Sequence, residues 1–168
     1  MTITRFRPNV TAAAALLGLL MLAGCQGALS MANPRSATAA MDGLGASASA
    51  EDYLNAIRRE YGLRPLLPDA TLEKAAKQQA GYMKSTGKMA HRTGWGRDFA
   101  SRIRENDIRG VAAENVAYGQ RTAKDVLAGW MTSRGHRRNM LDPAFGHFGL
   151  ASAEDSKGRK YWALLLGR

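Results

Sequence analysis

Residues 147–167 read HFGLASAEDSKGRKYWALLLG and form two apolar runs around a polar segment. The runs HFGLASA and KYWALLLG have the length and the aromatic content of strands. The segment EDSKG between them carries the Asp, Ser and Gly that favour turns. The sequence therefore predicts a β-hairpin at the end of the chain, and the rest of the fold has to cover it.

Two helices are predicted before residue 90. The first places Tyr53, Leu54, Ile57 and Tyr61 on one face and stops near Gly62. The second follows the proline-containing loop LRPLLPD, with Asp69 as its cap and Gly87 after its end. Its apolar stripe contains Leu72, Ala75, Ala76, Gln79, Ala80 and Met83. The many alanines indicate close packing against another element.

Shorter elements fill residues 92–131. RTGWGRD (92–98) predicts a turn, FASRIRE (99–105) a short helix, and residues 111–118 a brief extended segment. Residues 122–125 have the pattern of a capping box. The helix that they start would bury Val126, Leu127, Trp130 and Met131. Helices followed by a hairpin predict an α+β domain, a small antiparallel sheet covered by helices.

The first fifty residues differ from the rest. Residues 1–24 start with Arg5 and Arg7, continue through an apolar run and end in Leu-Ala-Gly before Cys25, which is typical of a lipoprotein signal peptide. An ordinary cleaved signal with a chance cysteine is the alternative. Ala, Ser or Gly fills 15 of the positions from 26 to 50. Residues 25–50 are therefore predicted to be a lipidated Cys25 with a flexible tether, and residues 51–168 the folded domain.

Composition limits the chemistry and the partners. Cys25 is the only cysteine, so the domain has no internal disulfide and, once Cys25 is acylated, no thiol nucleophile. The net charge is +10, and it falls to +8 without the two arginines of residues 1–24. A basic exported protein favours acidic lipids or envelope polymers over nucleic acid, although the charge could also serve solubility alone. A monomer is expected.

Four side chains are candidates for chemistry. His91 follows the second helix, His136 is predicted in a turn after the Trp130 helix, and His147 starts a strand. No local signature such as HExxH joins them. Glu114 has small and apolar neighbours, which predicts a partly buried carboxylate that needs a partner.

Several motifs, in order along the chain, resemble the CAP superfamily of cysteine-rich secretory, antigen 5 and pathogenesis-related 1 proteins. ENVAYG (114–119) is similar to the family's GENIAxG motif, with Ala113 in place of the usual first glycine. WMTSRGHRRNML (130–141) is similar to WMxSxGHRxNxL. With the first two helices and His91, the resemblance covers residues 53–166 and is strongest to the cysteine-free bacterial SCP-like extracellular branch.

The resemblance implies a three-layer α-β-α sandwich with a small central antiparallel sheet and a cleft lined by His91, Glu114 and His136. Ser133 stands where animal and plant members have a second glutamate. Two imidazoles could hold Zn²⁺, loosely because only two strong protein ligands are present. Asn115 and Asn139 are expected to tie loops together, Trp130 to lie in the core and His147 on the surface.

Three functions remain open. The first is a cell-envelope lipoprotein that binds lipid, a wall polymer or a protein partner through the cleft, anchored in the outer membrane and facing the periplasm if the bacterium has two membranes. The second is a metal-assisted hydrolase or peptidase with Glu114 as general base and Zn²⁺ on His91 and His136. The third is a structural envelope protein with a vestigial cleft.

Overall fold

The structure, a computed structural model, describes residues 45–168. The predicted signal peptide, Cys25 and tether residues 26–44 lie outside the described residues. Across the described range, every helix falls short of the length and apolar character needed to cross a membrane.

Residues 45–168 form five helices and four strands. The helices are α1 (Gly45–Glu60), α2 (Ala70–Thr86), α3 (Phe99–Glu105), α4 (Ala123–Thr132) and α5 (Arg134–Met140). The strands are β1 (Leu67–Pro68), β2 (Ala112–Tyr118), β3 (His147–Glu154) and β4 (Lys160–Gly167). The hairpin β3–β4 and helices α2, α3 and α4 lie where the sequence predicts them.

The four strands form one sheet in the order β1-β3-β4-β2. β4 pairs antiparallel with both β3 and β2, which confirms the predicted small antiparallel sheet. β1 adds a short parallel pairing with β3, in a segment that the sequence predicts as a loop. Pro68 has no N–H to donate, so it fits at this edge, where the sheet has no further neighbour.

The sheet is covered on both faces, because alternate residues of β4 enter different hydrophobic clusters. One cluster packs α1, α4 and α5 against the sheet, and the other packs α2 and α3. The first takes Trp162, Leu164 and Leu166, and the second takes Tyr161, Ala163 and Leu165. This period-two division of a fully buried strand makes the domain a three-layer α-β-α sandwich, as expected.

Helix α2 packs very closely on β3, as its alanines indicate. Asp69 caps it by accepting a hydrogen bond from the Leu72 N–H at 2.7 Å, and Gly87 ends it with a φ of 66°. At Gly149 of β3, a Cβ atom would lie 2.1 Å from the Glu73 amide nitrogen. Only glycine allows this approach of strand to helix.

The first helix extends further towards the N-terminus than the sequence predicts. Residues 45–50, assigned to the tether, are helical, and Ser47 and Ala50 are buried. The Ser47 hydroxyl accepts a hydrogen bond from the Leu150 N–H at 2.9 Å, which ties α1 to β3. Tyr61, expected on the buried face, lies beyond the helix end and is 54% exposed.

His136 lies on helix α5, whereas the sequence predicts it in a turn. Ser133 leaves α4 with an extended ψ of 121°, and a new helix starts at the next residue. Gly135 lies inside this helix instead of ending it. This fifth helix was not predicted, because its seven arginine-rich residues have no clear apolar face.

Candidate functional site

Glu114 is the buried carboxylate of the domain's edge strand β2. Its side chain is 2% exposed, and both oxygens have partners. Oε1 lies 2.8 Å from Nδ1 of His91, and Oε2 accepts a hydrogen bond from Nη2 of Arg102 at 2.5 Å. The predicted need for a partner is confirmed, and the structure supplies two.

Arg102 is the site residue that sequence reasoning missed. It lies on α3, and its side chain is fully buried. Besides Glu114, it donates to the backbone carbonyls of Arg97 and His91 at 3.5 and 3.4 Å. A signal was present, because Arg102 lies between Phe99 and Ile103 on the apolar face of FASRIRE. A cation on the buried face of a helix needs a buried anion as its partner, and Glu114 supplies that anion.

His91 lies in the loop between α2 and α3, and its side chain is 55% exposed. In the neutral ring, when Nδ1 donates to the Glu114 carboxylate, the other ring nitrogen, Nε2, carries a lone pair. A carboxylate that fixes an imidazole in this way sets both its tautomer and its direction. The pair therefore presents one oriented nitrogen that can accept a hydrogen bond or a proton.

His136 is half-buried on α5 and meets Trp130 edge to face, with ring centroids 6.3 Å apart. Burial lowers the pKa of His136, and the charge of His91 lowers this pKa further. Both effects favour the neutral form of the ring. The two histidines are therefore close enough for the charge of His91 to act on His136.

Two asparagines hold β2 and α5 together at this site. Asn115 Nδ2 donates to the His136 carbonyl at 3.1 Å, and Asn139 Nδ2 donates to Asn115 Oδ1 at 2.9 Å. Trp130 Nε1 donates to the Val116 carbonyl at 3.2 Å. These contacts confirm the predicted tying role of the asparagines and the core position of Trp130, which is 2% exposed. They also cover part of the free edge of β2.

A hollow of about 480 Å³ lies along β2, and we call it the β2 hollow. Three consecutive residues of the edge strand, 116–118, form one wall, and α4 forms another. His136 is its one histidine. The complete lining is Met89, Val116, Ala117, Tyr118, Gln120, Val126, Gly129, Trp130, Thr132 and His136. The surface is mostly apolar with a few polar groups, which is the usual character of a small-molecule site.

Of the predicted site residues, His136 lines the β2 hollow, whereas His91, Glu114 and Ser133 are outside its lining. Ser133 joins α4 to α5, outside the lining set, and its hydroxyl makes no capping hydrogen bond to α5. His147, expected on the surface, is half-buried, and its Nδ1 has no hydrogen-bond partner among the described residues. The reason is its position, because the backbones of Leu67 and Gly167 flank it in the sheet.

The residues fit a catalytic zinc site poorly. Between residues 45 and 168, no set of three or more His, Cys, Asp or Glu side chains could hold a metal ion. Glu114 already occupies one nitrogen of His91. Catalytic zinc sites generally use three protein ligands, and His91 and His136 supply two imidazoles at most. Loosely held Zn²⁺ on these two rings stays a prediction.

The doubly covered sheet and the polar cluster at its edge define an α-β-α sandwich with an edge cleft. The chain belongs to the CAP family, the cysteine-rich secretory proteins, whose family model matches residues 51–166. This establishes the resemblance inferred from the motifs.

Two relatives from Bacillus subtilis share part of the chain. It is 38% identical to the uncharacterized protein YkwD over 104 residues, which are 61% of this chain and 40% of YkwD. It is 28% identical to the uncharacterized membrane protein YlbC over 100 residues, which are 59% of this chain and 29% of YlbC. The match thus spans less than half the length of either relative.

Solved bacterial structures share the fold. An outer surface protein from Borrelia burgdorferi superposes with a TM-score of 0.64 at 22% identity, over 70% of this chain and 88% of that one. An extracellular SCP-domain protein from Bacillus anthracis superposes with a TM-score of 0.65 at 24% identity, over 71% of this chain and 39% of that one. A cysteine-rich secretory protein from Staphylococcus aureus superposes with a TM-score of 0.59 at 20% identity, over 82% of this chain and 40% of that one.

Proposed function

We propose that this protein is an exported binding module of the bacterial cell envelope, and that the β2 hollow takes an amphipathic ligand. The apolar part of the ligand packs against the walls of the hollow, and its polar part meets His136. Export is supported by the predicted signal sequence and by the descriptions of the structural neighbours as outer surface or extracellular proteins.

The observation that carries this proposal is the lining of the β2 hollow. Its volume, about 480 Å³, falls in the range of ligand sites, and its aliphatic and aromatic side chains favour an apolar ligand segment. His136 adds a hydrogen-bonding group, in its neutral form because its pKa is lowered. A ligand with one apolar and one polar end satisfies both surfaces.

Glu114 fits a positioning role better than a catalytic one. A general base has to reach the proton that it removes. The side chain of Glu114 is 2% exposed, and its two oxygens are engaged by His91 and Arg102. The carboxylate therefore orients the His91 ring, and the ring is the exposed member of the pair.

Gly129 allows a direct test. It lies on α4 in the lining of the β2 hollow, and a Cβ there would meet nothing within 4 Å. Gly129→Phe should fill the hollow without strain and weaken binding of dansyl-undecanoic acid, a fluorescent fatty acid, by at least about tenfold. Gly81→Phe is the matched control, because Gly81 also lies on a helix with open space at its Cβ but outside the hollow. Equal binding by both variants, or none by the parent protein, would reject the proposal.

A hydrolase is the second candidate, and the orientation of His91 favours it. Nε2 of an imidazole held by a carboxylate is a competent general base. Turnover of an ester or peptide panel that is lost in His91→Ala would replace the binding proposal with this one. Zn²⁺ titration belongs to the same experiment, and we expect weak binding that disappears in the His91→Ala, His136→Ala double variant.

A basic groove provides the contact proposed for acidic envelope polymers. Arg134, Arg137, Arg138 and Leu141 line a hollow of about 400 Å³ on α5. Guanidinium groups bind phosphate and carboxylate in a fork geometry, so this surface suits a polyanion. Retention on a polyphosphate column that falls with added salt, and falls further in Arg137→Gln, would support this contact.

Acylation of Cys25 completes the proposal, because it would hold the domain at a membrane. Two or more acyl chains are enough for stable anchoring. The intact mass of the protein purified from native membranes should include the mass of a diacylglyceryl group, and Cys25→Ser should lack this added mass. An unmodified membrane-bound chain would contradict this part.

A further inference from the structure

Trp95 is the most exposed large hydrophobic residue of the described chain. Its exposed fraction is 95%, whereas the other two tryptophans, Trp130 and Trp162, are 2% and 3% exposed. Nearby Met89 is 54% exposed. An indole combines a large apolar surface with one N–H donor. Tryptophan is therefore enriched at protein and membrane interfaces, where one side is apolar and the other is hydrated.

The turn around Trp95 is ordered by its own contacts. The Thr93 N–H donates to the Arg97 carbonyl at 3.1 Å, and the Arg97 N–H donates to the Gly94 carbonyl at 3.2 Å. Gly96 adopts a positive φ of 68°, which the sharp reversal requires. The Arg97 guanidinium lies over the Tyr82 ring of α2, 4.8 Å from its centroid. The turn is therefore fixed to the helix and presents the indole at its tip.

The charge around this turn is mostly positive, although the turn ends at Asp98, which caps α3. Residues 74–97 contain six lysines and arginines and no aspartate or glutamate. Lys77 pairs with Glu73, outside this run. Lys84, Lys88 and Arg92 are exposed, and they lie at the end of α2 or in the loop that carries Trp95. We call residues 84–97 the basic Trp95 loop.

We propose that the basic Trp95 loop docks on the surface of an anionic phospholipid bilayer. The indole of Trp95 enters the interface between head groups and acyl chains, and Lys84, Lys88 and Arg92 meet the lipid phosphates. Aromatic residues at this depth and basic residues beside them are the two features that hold proteins on anionic membranes. A neutral saccharide could stack on Trp95, but it would not use the acid-free run of cations.

This contact goes beyond the proposed ligand site and does not require Cys25. Docking through the loop would also fix the orientation of the domain, because the loop connects α2 to α3 and contains His91.

The test uses the chain from Gln26 onward, which keeps every described element and lacks Cys25. Its tryptophan emission is measured with vesicles of phosphatidylcholine alone and with phosphatidylglycerol added. Because Trp130 and Trp162 are buried, a blue shift reports Trp95. We expect a blue shift with the anionic vesicles only, and added salt should reverse it. In a co-sedimentation assay, Trp95→Ala should bind the anionic vesicles about tenfold more weakly than the parent protein. Tyr61→Ala, at an exposed aromatic beyond α1, is the matched control and should bind as the parent does.

Three outcomes would overturn the proposal. They are equal vesicle binding by Trp95→Ala and the parent, no blue shift with anionic vesicles, and a blue shift with soluble peptidoglycan fragments in the absence of lipid. The last would assign the loop to saccharide instead. Gly129→Phe should bind vesicles normally, so failure of the β2 hollow as a ligand site and failure of this docking surface are separate results.

Discussion

The charge of Glu114 is matched inside the protein by Arg102. Both side chains are almost fully buried, and their closest atoms are 2.5 Å apart. A buried ion pair contributes little net stability compared with apolar residues, but removal of one partner leaves an unpaired charge. The pair therefore fixes the position of His91, and its disruption should be felt in both stability and site geometry.

Arg102→Met tests this interaction, because it keeps a long apolar stem and removes the cation. We expect unfolding to become easier by about 3–5 kcal/mol, as measured by urea titration. The Arg102→Met, Glu114→Gln double variant should recover a large part of that loss, because no buried charge remains unpaired. A single variant within about 1 kcal/mol of the parent would show that the pair is unimportant.

His136 gives a pH dependence with a defined sign. Burial and the charge of His91 lower its pKa in the folded state, so the folded protein binds fewer protons than the unfolded chain. Stability due to this residue is complete above the ordinary histidine pKa of about 6.5, and it decreases as the pH falls towards the lowered value. The melting temperature of the parent should therefore fall more steeply below pH of about 6.5 than that of His136→Gln. Parallel curves would contradict this effect.

At the scale of elements, the best-predicted parts are those with strong local signals. Helix α2 has a side-chain cap and a terminal glycine, and α4 has a capping box formed by Thr122 and Asp125. Helix α5 has no side-chain cap and buries only Met140, so its seven residues carry little local signal. Its position is set from outside, because buried Arg58 on α1 donates to the Met140 carbonyl at 2.7 Å.

The contact between α2 and β3 gives a prediction at this scale. Gly149→Ala places a methyl group 2.1 Å from the Glu73 nitrogen, so strand and helix must separate. We expect a loss of about 3 kcal/mol in the free energy of unfolding, the upper part of the usual range for overpacking. Gly81→Ala, on the same helix with open space at its Cβ, should instead stabilise by about 0.5–1 kcal/mol. Similar free energies of unfolding for Gly149→Ala and Gly81→Ala would contradict the close contact between α2 and β3.

For the whole molecule, the helical and period-two patterns predicted an α+β domain, because they report burial directly, and the family resemblance supplied the three layers. The sequence also pointed to Glu114 as a buried carboxylate that needs a partner, while the grouping of His91, Glu114 and His136 in one cleft came from the family resemblance and stays a prediction. Arg102 was missed because its partner lies on another element, and the pairing exists only after α3 packs beside β2. The β2 hollow was missed for the same reason, since its walls come from distant segments.

The central claim is that the β2 hollow binds the apolar part of an amphipathic ligand. The most direct measurement is a ¹⁵N–¹H NMR titration of the protein with a monomeric lysophospholipid. We expect the amide signals of residues 116–118 and Gly129 to shift together and to saturate, while those of α2 stay in place. Shifts confined to other surfaces, or none at concentrations below micelle formation, would contradict the account.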